Sequence, residues 1–347
     1  MIDFRYHLVS IVAVFLALAI GIVLGSTELQ GHTIDVLQAS SNYLNNQLNV
    51  AKAERASYQA QAGAEDQFLQ SAEPQLLGGR LAGDRVVIVT EPGAQGSVVD
   101  GIKQAAVLAG AAVTGQVALQ PQFNDISAAN QSSLGAVDSS AAAAAGLTVT
   151  AGTDPQTASQ QQAAQLIAHA ILAKSPGQAG LTPEAAQALL SAYTQAGYLT
   201  VSGTPTDPAT LAVLVTPQTA PADGPGDPAN QVLLAVAREF AGASAATLVA
   251  GGTAGSATSA SAIAVLRSSS VSGQVSSVDD ADTALGQITV IEALATQLAG
   301  GKPNSYGISG ASAVSPVPVP SPSPTASAAA PQPTATGKGG KQPVKKK

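Results

Sequence analysis

The strongest pattern along the chain is an uninterrupted apolar run from Leu8 to Gly25, which has no charged residue and a single hydroxyl, at Ser10. At ~1.5 Å per residue, a helix of this length spans ~27 Å, close to the hydrocarbon thickness of a bilayer. A buried core helix of the same length would present a polar face, and this run has none. The pattern predicts a transmembrane helix within residues 1–26.

Two fates of this helix stay open, a cleaved secretory signal or an uncleaved signal-anchor. Ala17-Leu18-Ala19 matches an A-x-A cleavage pattern, but apolar residues continue beyond it to Leu24. The leading segment is also barely basic, because Asp3 offsets Arg5. These features favour a signal-anchor.

The charges that flank the run predict its orientation. Arg5 precedes the run, and Glu28 and Asp35 are the first charges after it. Because basic residues are retained on the cytoplasmic side, we expect a cytoplasmic N-terminus. Residues 26–347 would then lie outside the cell membrane.

Small residues recur every fourth position inside the span, at Ala17, Gly21 and Gly25. Small side chains at that spacing share one helix face and let two membrane helices approach closely. The alternative explanation of this spacing is chance, because glycine is common in membrane helices. We predict a dimer face on this side of the span.

A polar helix, rich in Gln and Asn, is predicted to follow over residues 27–75. Apolar side chains occupy the two seam positions of a heptad in its first half: Ile34, Leu37, Leu44 and Leu48. The seam weakens further on, where Arg55 and Glu65 take those positions. The pattern favours a homodimeric coiled-coil stalk, and the alternative is an amphipathic helix folded back on the rest of the chain.

From residue 80 onward, short β-branched runs alternate with helical segments. The strands are predicted at 85–90, 111–119, 198–201, 211–215, 246–250 and 274–278. The helices are predicted at 95–109, 124–146, 156–174, 183–196, 228–240, 258–267 and 281–298. This alternation is typical of an open, mostly parallel, Rossmann-like α/β sheet with helices on both faces. We therefore predict an α/β domain over residues 80–310, and the strand order stays open.

The character of the chain changes from residue 311, where proline alternates with Val, Ser, Ala and Thr. Such composition predicts an extended, disordered tail over 311–347. Its end is basic, with Lys338, Lys341 and residues 345–347. An anionic envelope polymer or lipid is one partner for these lysines; the alternative is a tail that only stays solvated.

Composition narrows the class of protein further. Of the 347 residues 45% are hydrophobic, yet only 3% are aromatic, and Cys and Trp are absent. The core must therefore be built from Ala, Val, Leu and Ile, without disulfide bonds. The net charge of −7 argues against nucleic-acid binding, which needs a basic face.

A search for metal or cofactor chemistry finds no site. None of the three histidines, His7, His32 and His169, has a second His three or four residues away. A carboxylate stands at that spacing from His7, at Asp3, and from His32, at Glu28 and Asp35, but not from His169. Met1 is the sole methionine, so the soft sulfur ligands that copper(I) prefers are lacking. We predict no metal ligands and no cofactor, and expect His169 to be a packed or surface residue.

Two glycine-rich segments follow predicted strands, Thr90–Gly96 and Ala250–Ser256. Neither matches G-x-G-x-x-G or contains a phosphate-binding lysine, so both are interpreted as structural turns. In the acidic segment further on, Asp280 and Asp282 are expected to cap the last helix. Since G-x-S-x-G and H-E-x-x-H are also absent, we predict that the chain is not an enzyme.

The opening segment, Met1-Ile2-Asp3-Phe4-Arg5-Tyr6-His7-Leu8-Val9-Ser10 with the apolar run that follows, resembles the MctB family of actinobacterial envelope proteins. Three later stretches fit the same family: Arg85 to Gly93, Asp279 to Thr283, and Tyr306-Gly307. The resemblance covers about residues 1–310. In this chain Pro303-Asn304-Ser305 precedes Tyr306-Gly307, where the family often has a Gly-His pair.

The resemblance implies copper transport, for which an outer-membrane pore has been proposed in the family. Copper enters the interpretation only through this resemblance, because one span cannot line a pore. The family is also linked to cell separation, acting with a membrane partner that controls cell-wall hydrolases. We therefore expect a non-enzymatic interaction module, with a small-ligand-binding or hydrolytic α/β domain as a further alternative.

Overall fold

The structure is a computed structural model that describes residues 4–148, 150, 152, 154–178, 180–220, 223–256 and 258–316. The side chains of residues 4–5, 26–36 and 255–256 lie outside this description. Two compact units divide the chain, Met1–Phe68 and Leu69–Lys347.

The first unit is helical throughout its described length. Helix α1 is Phe4–Leu77 and includes both predicted helical segments. Within it, Tyr6–Gly25 is long and apolar enough to cross a membrane, and none of it is buried in this chain. The prediction of an N-terminal apolar helix is confirmed.

In the second unit, helices alternate with strands, and the end of α1 joins its core. Leu77 and Leu81 are fully buried, and Arg80 forms a 2.8 Å ion pair with the buried Glu292. The strands are β1 Arg85–Thr90, β2 Ala112–Leu119, β3 Leu199–Gly203, β4 Leu211–Val215, β5 Ala246–Ala250, β6 Ser276–Val278 and β7 Ser305–Tyr306. The helices are α2 Gly96–Leu108, α3 Ala128–Ala145, α4 Ala158–Ile171, α5 Pro183–Gln195, α6 Pro228–Ala243, α7 Thr253–Ser256, α8 Ala262–Ser268 and α9 Ala284–Leu298.

The strands form one open sheet with the order β3-β2-β1-β4-β5-β6-β7. All neighbours are parallel except β2 and β3, which are antiparallel. From β1 the chain adds β2 and then β3 on one side of the sheet, and from β4 it adds β5, β6 and β7 on the other side. This doubly wound order confirms the predicted fold class.

Alternate residues of the central strands face two separate cores. Val87 and Val89 of β1 pack under α3 to α6 and α8, whereas Val86 and Ile88 pack under α2, α9 and the end of α1. Because both faces are covered, β1, β4 and β5 are nearly continuous apolar runs, as expected of strands in a parallel sheet. Helices on both faces are confirmed.

The last crossover differs in hand from those before it. The steps from β4 to β5, β6 and β7 all move in one direction across the sheet. The helices α6 and α8 lie on one face, but α9 lies on the opposite face, beside α2. Since the preceding connections follow the usual right-handed rule, β6-α9-β7 is left-handed, which is rare.

The structure also differs locally from the sequence expectations. Strand β7 was not predicted. Helix α3 begins at Ala128 and not at residue 124 as predicted, and residues 121–124 ahead of it form a 3₁₀ turn. Helix α1 continues through Pro74 to Leu77, because a proline near a helix end removes only one backbone bond. Most of the predicted tail, residues 317–347, lies outside the described residues.

Candidate functional site at the carboxyl edge of the sheet

The carboxyl edge of the sheet is the expected position of a functional site in this fold. Strands β1 and β4 are neighbours, and the chain leaves them in opposite directions. In doubly wound sheets, ligands bind in the crevice outside the carboxyl ends of such strands. Four segments reach this edge, after β1, β4, β5 and β6, and each carries polar side chains.

The glycine-rich loop after β5 is occupied by a carboxylate of the chain itself. Oδ1 of Asp282 accepts a 2.9 Å hydrogen bond from the backbone N–H of Thr253, and Oδ2 accepts one of 2.9 Å from the Thr253 hydroxyl. The amide of Gln218 donates to the same Oδ2 at 3.3 Å. These are the donors that a phosphate would use. Thr253–Ser256 of this segment form the short helix α7 and not the predicted turn, and the Thr253 donors are already used within the chain.

Asp279, which directly follows β6, is fully buried and accepts hydrogen bonds from two other parts of the chain. Its Oδ2 lies 2.7 Å from Nη1 of Arg267 in α8. The backbone N–H groups of Ile308 and Ser309 donate to its two carboxylate oxygens at 2.7 and 2.9 Å. A buried carboxylate with this many donors is well compensated for its loss of water.

The Arg267 guanidinium completes a structure that we call the clasp, formed by Arg267, Asp279 and residues 306–309. Arg267 donates to the carbonyl of Tyr306 at 2.6 Å and to that of Ser309 at 2.5 Å, and Nε donates to the Ser277 hydroxyl at 2.9 Å. At Gly307, φ is +120°, and an added Cβ would collide with the Asp279 carboxylate. The two late sequence stretches that carried the family resemblance thus meet in a structural contact.

Asp280 is buried, and its Oδ1 has no hydrogen-bond partner among the described residues. Burial, followed by the neighbouring charge of Asp279, raises the pKa of the Asp280 carboxyl to about 6. The N-cap of α9 is Thr283, whose hydroxyl accepts from the Gly286 N–H at 3.0 Å. The expectation that Asp280 and Asp282 cap α9 is wrong, because the chain turns one residue later.

Glu91 lies at the end of β1, next to the point where the sheet reverses direction. Its side chain is buried, and its backbone N–H donates to the Val215 carbonyl at 2.9 Å. Burial raises the pKa of the Glu91 carboxyl to about 8, so this group carries a proton at neutral pH. Sequence analysis did not single out Glu91 or Arg267. The signal that could have indicated their burial was an isolated charged residue next to an apolar stretch.

The acids at this edge do not form a metal-binding group. Within the part of the chain that the structure describes, no three His, Cys, Asp or Glu side chains are placed to hold a metal ion. His169 is exposed on α4, and its Nδ1 lies 2.7 Å from the Gln165 carbonyl. At this edge the carboxylates of Asp279 and Asp282 accept hydrogen bonds from the chain itself.

The residues predicted to mediate dimerisation all lie on α1. Gly21 and Gly25 have open space where a Cβ would be, and Ala17 is exposed. On the stalk segment, Leu37, Leu44 and Leu48 are 67%, 60% and 53% exposed, and the side chain of Ile34 is outside the described residues. Because the structure holds one chain, the dimer stays a prediction.

Comparison with known proteins assigns the family. The family model described as "Copper transport outer membrane protein, MctB" matches residues 1–318. The chain belongs to the MctB family. This match confirms the resemblance seen in the opening segment and extends it past residue 310 to the described end of the α/β domain.

Individual MctB proteins match over almost their whole length. "Copper transporter MctB" of Mycobacterium tuberculosis is 31% identical over 320 residues, which cover 91% of this chain and 98% of that protein. "Copper transporter MctB" of Mycobacterium leprae is 28% identical over 322 residues, which cover 91% and 99%. The alignments include α1 as well as the α/β domain.

Proposed function

We propose that this chain is a membrane-anchored envelope protein that takes part in copper homeostasis by binding other proteins. The observation that carries the proposal is the combination of one segment long and apolar enough to cross a membrane with an open sheet at whose carboxyl edge Asp279 and Asp282 are hydrogen-bonded by the chain itself. A single helix cannot line a path for an ion through a bilayer. The α/β domain offers binding surface in place of a catalytic centre.

Donor chemistry supports the assignment of copper binding to a partner. Copper(I) selects thiolate and thioether sulfur, and imidazole suits copper(II). The sequence has no cysteine, one methionine at Met1, and histidines at His7, His32 and His169. The relatives are named copper transporters. For this chain we therefore propose a role in copper handling in which a partner protein binds the metal.

The N-terminal helix acts as an uncleaved anchor in this proposal. Arg5 keeps the N-terminus in the cytoplasm, and residues 26–347 lie outside the membrane. The small face of Ala17, Gly21 and Gly25 pairs two spans, and the exposed leucines of the stalk pair two stalks. The lysines at the end of the chain, residues 338–347, contact anionic envelope polymer or lipid.

A second candidate function is the regulation of cell separation with a membrane partner that controls peptidoglycan hydrolases. The observation that favours it is the second half of the stalk, where Tyr58 and Phe68 are 71% and 70% exposed beside the charged Glu54, Arg55 and Glu65. Polar seam positions disfavour a tight homodimer. They suit a partner helix that brings complementary charges.

The test is a deletion strain complemented with the full chain, in which copper content, copper tolerance and cell separation are measured together. We expect excess copper in the deletion strain and recovery with the wild-type chain. A variant with Leu37, Leu44 and Leu48 changed to Gln should fail to restore normal copper. Val50→Gln is the matched control, because Val50 is equally apolar and 56% exposed but lies off the seam.

Three results would change the assignment. Normal copper content in the deletion strain, together with cells that stay joined, would replace copper homeostasis with cell separation. A crosslinked pull-down from intact membranes that recovers no partner would contradict the interaction role. Stoichiometric copper binding by the purified full chain, abolished by His169→Ala, would show that the chain itself carries the metal.

A further inference from the structure

A cleft of about 540 Å³ lies on the opposite side of the α/β domain from the carboxyl edge. It is formed by the ends of α4 and α6 and by the segment that follows α4. Because α6 begins beside the carboxyl ends of the strands, its last residues, Glu239 to Ala243, lie at the amino edge. The cleft is therefore separate from the site described above, and its volume is within the range of small-ligand sites.

The cleft is lined by apolar side chains and by two opposite charges. Ala168, Leu172 and Ala243, which we call its floor, are among the apolar residues. Lys174 and Glu239 line the same cleft, so a ligand that fills it can contact both. A site with this composition suits a ligand that is charged at both ends and apolar between them.

Lys174 and Glu239 are available to a ligand. Within the described residues the Lys174 ammonium makes no ion pair or hydrogen bond, and only its backbone N–H is used, by Gln178 at 3.0 Å. Oε1 of Glu239 accepts from the Gln161 amide at 2.8 Å, a contact that orients the carboxylate without neutralising it. Each charge can therefore form a charge-assisted hydrogen bond with a ligand.

His169 adds a directional acceptor to the cleft. Its Nδ1 is 2.7 Å from the Gln165 carbonyl, and a carbonyl can only accept, so Nδ1 carries the hydrogen. In the neutral imidazole Nε2 is then an acceptor. An acceptor beside an ammonium and a carboxylate matches the backbone N–H of a peptide.

We propose that this cleft binds a short zwitterionic peptide of small apolar residues. The peptide carboxylate pairs with Lys174, its ammonium pairs with Glu239, and a backbone N–H donates to Nε2 of His169. Methyl side chains rest on the apolar floor. The ligand class is set by the two opposite charges, the acceptor of His169 and the apolar residues of the floor, which all line the same cleft.

The experiment titrates trialanine into the full chain in detergent micelles, by calorimetry and by saturation-transfer NMR observed on the peptide. We expect saturable binding of one peptide per chain. Lys174→Gln and Glu239→Gln should each weaken binding about tenfold or more, the effect of losing one charge-assisted hydrogen bond. Lys52→Gln is the matched control, because it removes an exposed lysine from the stalk and should leave the affinity unchanged.

Changing the peptide tests the same contacts without altering the fold. N-acetyl-trialanine lacks the ammonium, so it should bind the wild-type chain about tenfold more weakly and the Glu239→Gln variant no more weakly than trialanine does. Trialanine amide lacks the carboxylate, so it should bind the wild-type chain about tenfold more weakly than trialanine does, and it should bind the Lys174→Gln variant no more weakly than trialanine does. The absence of saturable binding up to about 10 mM peptide, or equal binding of the doubly blocked peptide, would overturn the proposal.

Discussion

At the scale of single residues, the clasp holds the last strand of the sheet mainly through one side chain. Strand β7 has two residues, too few for a stable ladder of backbone bonds. Arg267 supplies the missing donors by reaching the carbonyls of Tyr306 and Ser309, and Asp279 neutralises the guanidinium. Burial makes each partner dependent on the other, because an unpaired charge in this place has no water to solvate it.

Replacing Asp279 with Asn should therefore destabilise the α/β domain strongly. We expect a loss of about 3–5 kcal/mol in the free energy of unfolding, since Arg267 would stay buried without its counterion. Urea unfolding followed by tyrosine fluorescence measures the change. Asp207→Asn is the control, because the Arg85–Asp207 pair is also close but exposed and should cost about 0–1 kcal/mol. Equal effects of the two substitutions would contradict a structural clasp.

Gly307→Ala tests the clasp from the side of the backbone. The substitution forces alanine to φ +120° and drives its Cβ into the Asp279 carboxylate, so we expect a cost of about 2–5 kcal/mol. Gly300→Ala separates the two causes, because Gly300 has φ +87° but open space around it, and its cost should be about 1–2 kcal/mol. A smaller effect at Gly307 than at Gly300 would be inconsistent with the contact.

A buried carboxyl at Asp138 links stability to pH. Its Oδ1 accepts a 2.6 Å hydrogen bond from the Tyr193 hydroxyl, and burial raises the pKa of the Asp138 carboxyl from 3.8 to about 7. The folded state therefore holds a proton that the unfolded state has lost. The contribution of Asp138 to the free energy of unfolding is fully present below pH about 4. Between pH about 4 and about 7 it falls by about 1.4 kcal/mol per pH unit, and above pH about 7 it no longer changes.

Asp138→Asn should remove this slope while it keeps an acceptor for Tyr193. The measurement is the free energy of unfolding from pH 5 to pH 8, with the wild-type chain as reference. Glu91, whose pKa is also raised by burial, contributes a similar slope that reaches to about pH 8 and remains in the variant. An unchanged slope in Asp138→Asn would show that Asp138 is ionised in the folded protein.

At the scale of elements, α1 carries more exposed large apolar side chains than any other described element, even when its apolar segment Tyr6–Gly25 is left out. Leu37, Leu44 and Leu48 recur at seam spacing, whereas Val50 lies on another face of the same helix. A helix with an uncovered apolar stripe gains stability when a second helix covers it. We therefore expect the seam to pair with the same seam of a second chain.

The absence of native cysteine makes this pairing directly testable. We expect Leu44→Cys to form a disulfide-linked dimer in membranes under mild oxidation, because equivalent seam positions of two parallel helices lie close together. Val50→Cys is the matched control and should stay largely monomeric. Equal crosslinking of both variants would indicate random collision, and no crosslinking of Leu44→Cys would contradict the homodimer.

At the scale of the whole molecule, the fate of the N-terminal helix decides where the α/β domain acts. An anchor keeps the domain at the cell membrane, and a cleaved signal releases it. We expect the mature chain to retain residues 1–26 and to stay with membranes after alkaline carbonate extraction. Intact-mass measurement checks this. Ala19→Phe destroys the A-x-A pattern, and we expect its mature chain to have the same N-terminus as the wild-type chain. A mature N-terminus near Ile20 would establish a signal peptide.

The sequence alone determined the features that depend on local period and composition. An apolar run without a polar face gives a helix long and apolar enough to cross a membrane, and alternation of β-branched runs with amphipathic segments gives an α/β sheet with both faces covered. The opening motif was sufficient to indicate the family.

Only the tertiary structure decided which distant segments meet. The period of a strand shows that a face is buried but not its neighbour or its direction, so the antiparallel β3 and the left-handed crossover to β7 could not be predicted. Two residues of β7 are too few to show any period. Asp279 and Arg267 became partners only because the fold brings β6, α8 and residues 306–309 together. The large cost of breaking that contact comes from burial, which the sequence pattern does not specify residue by residue.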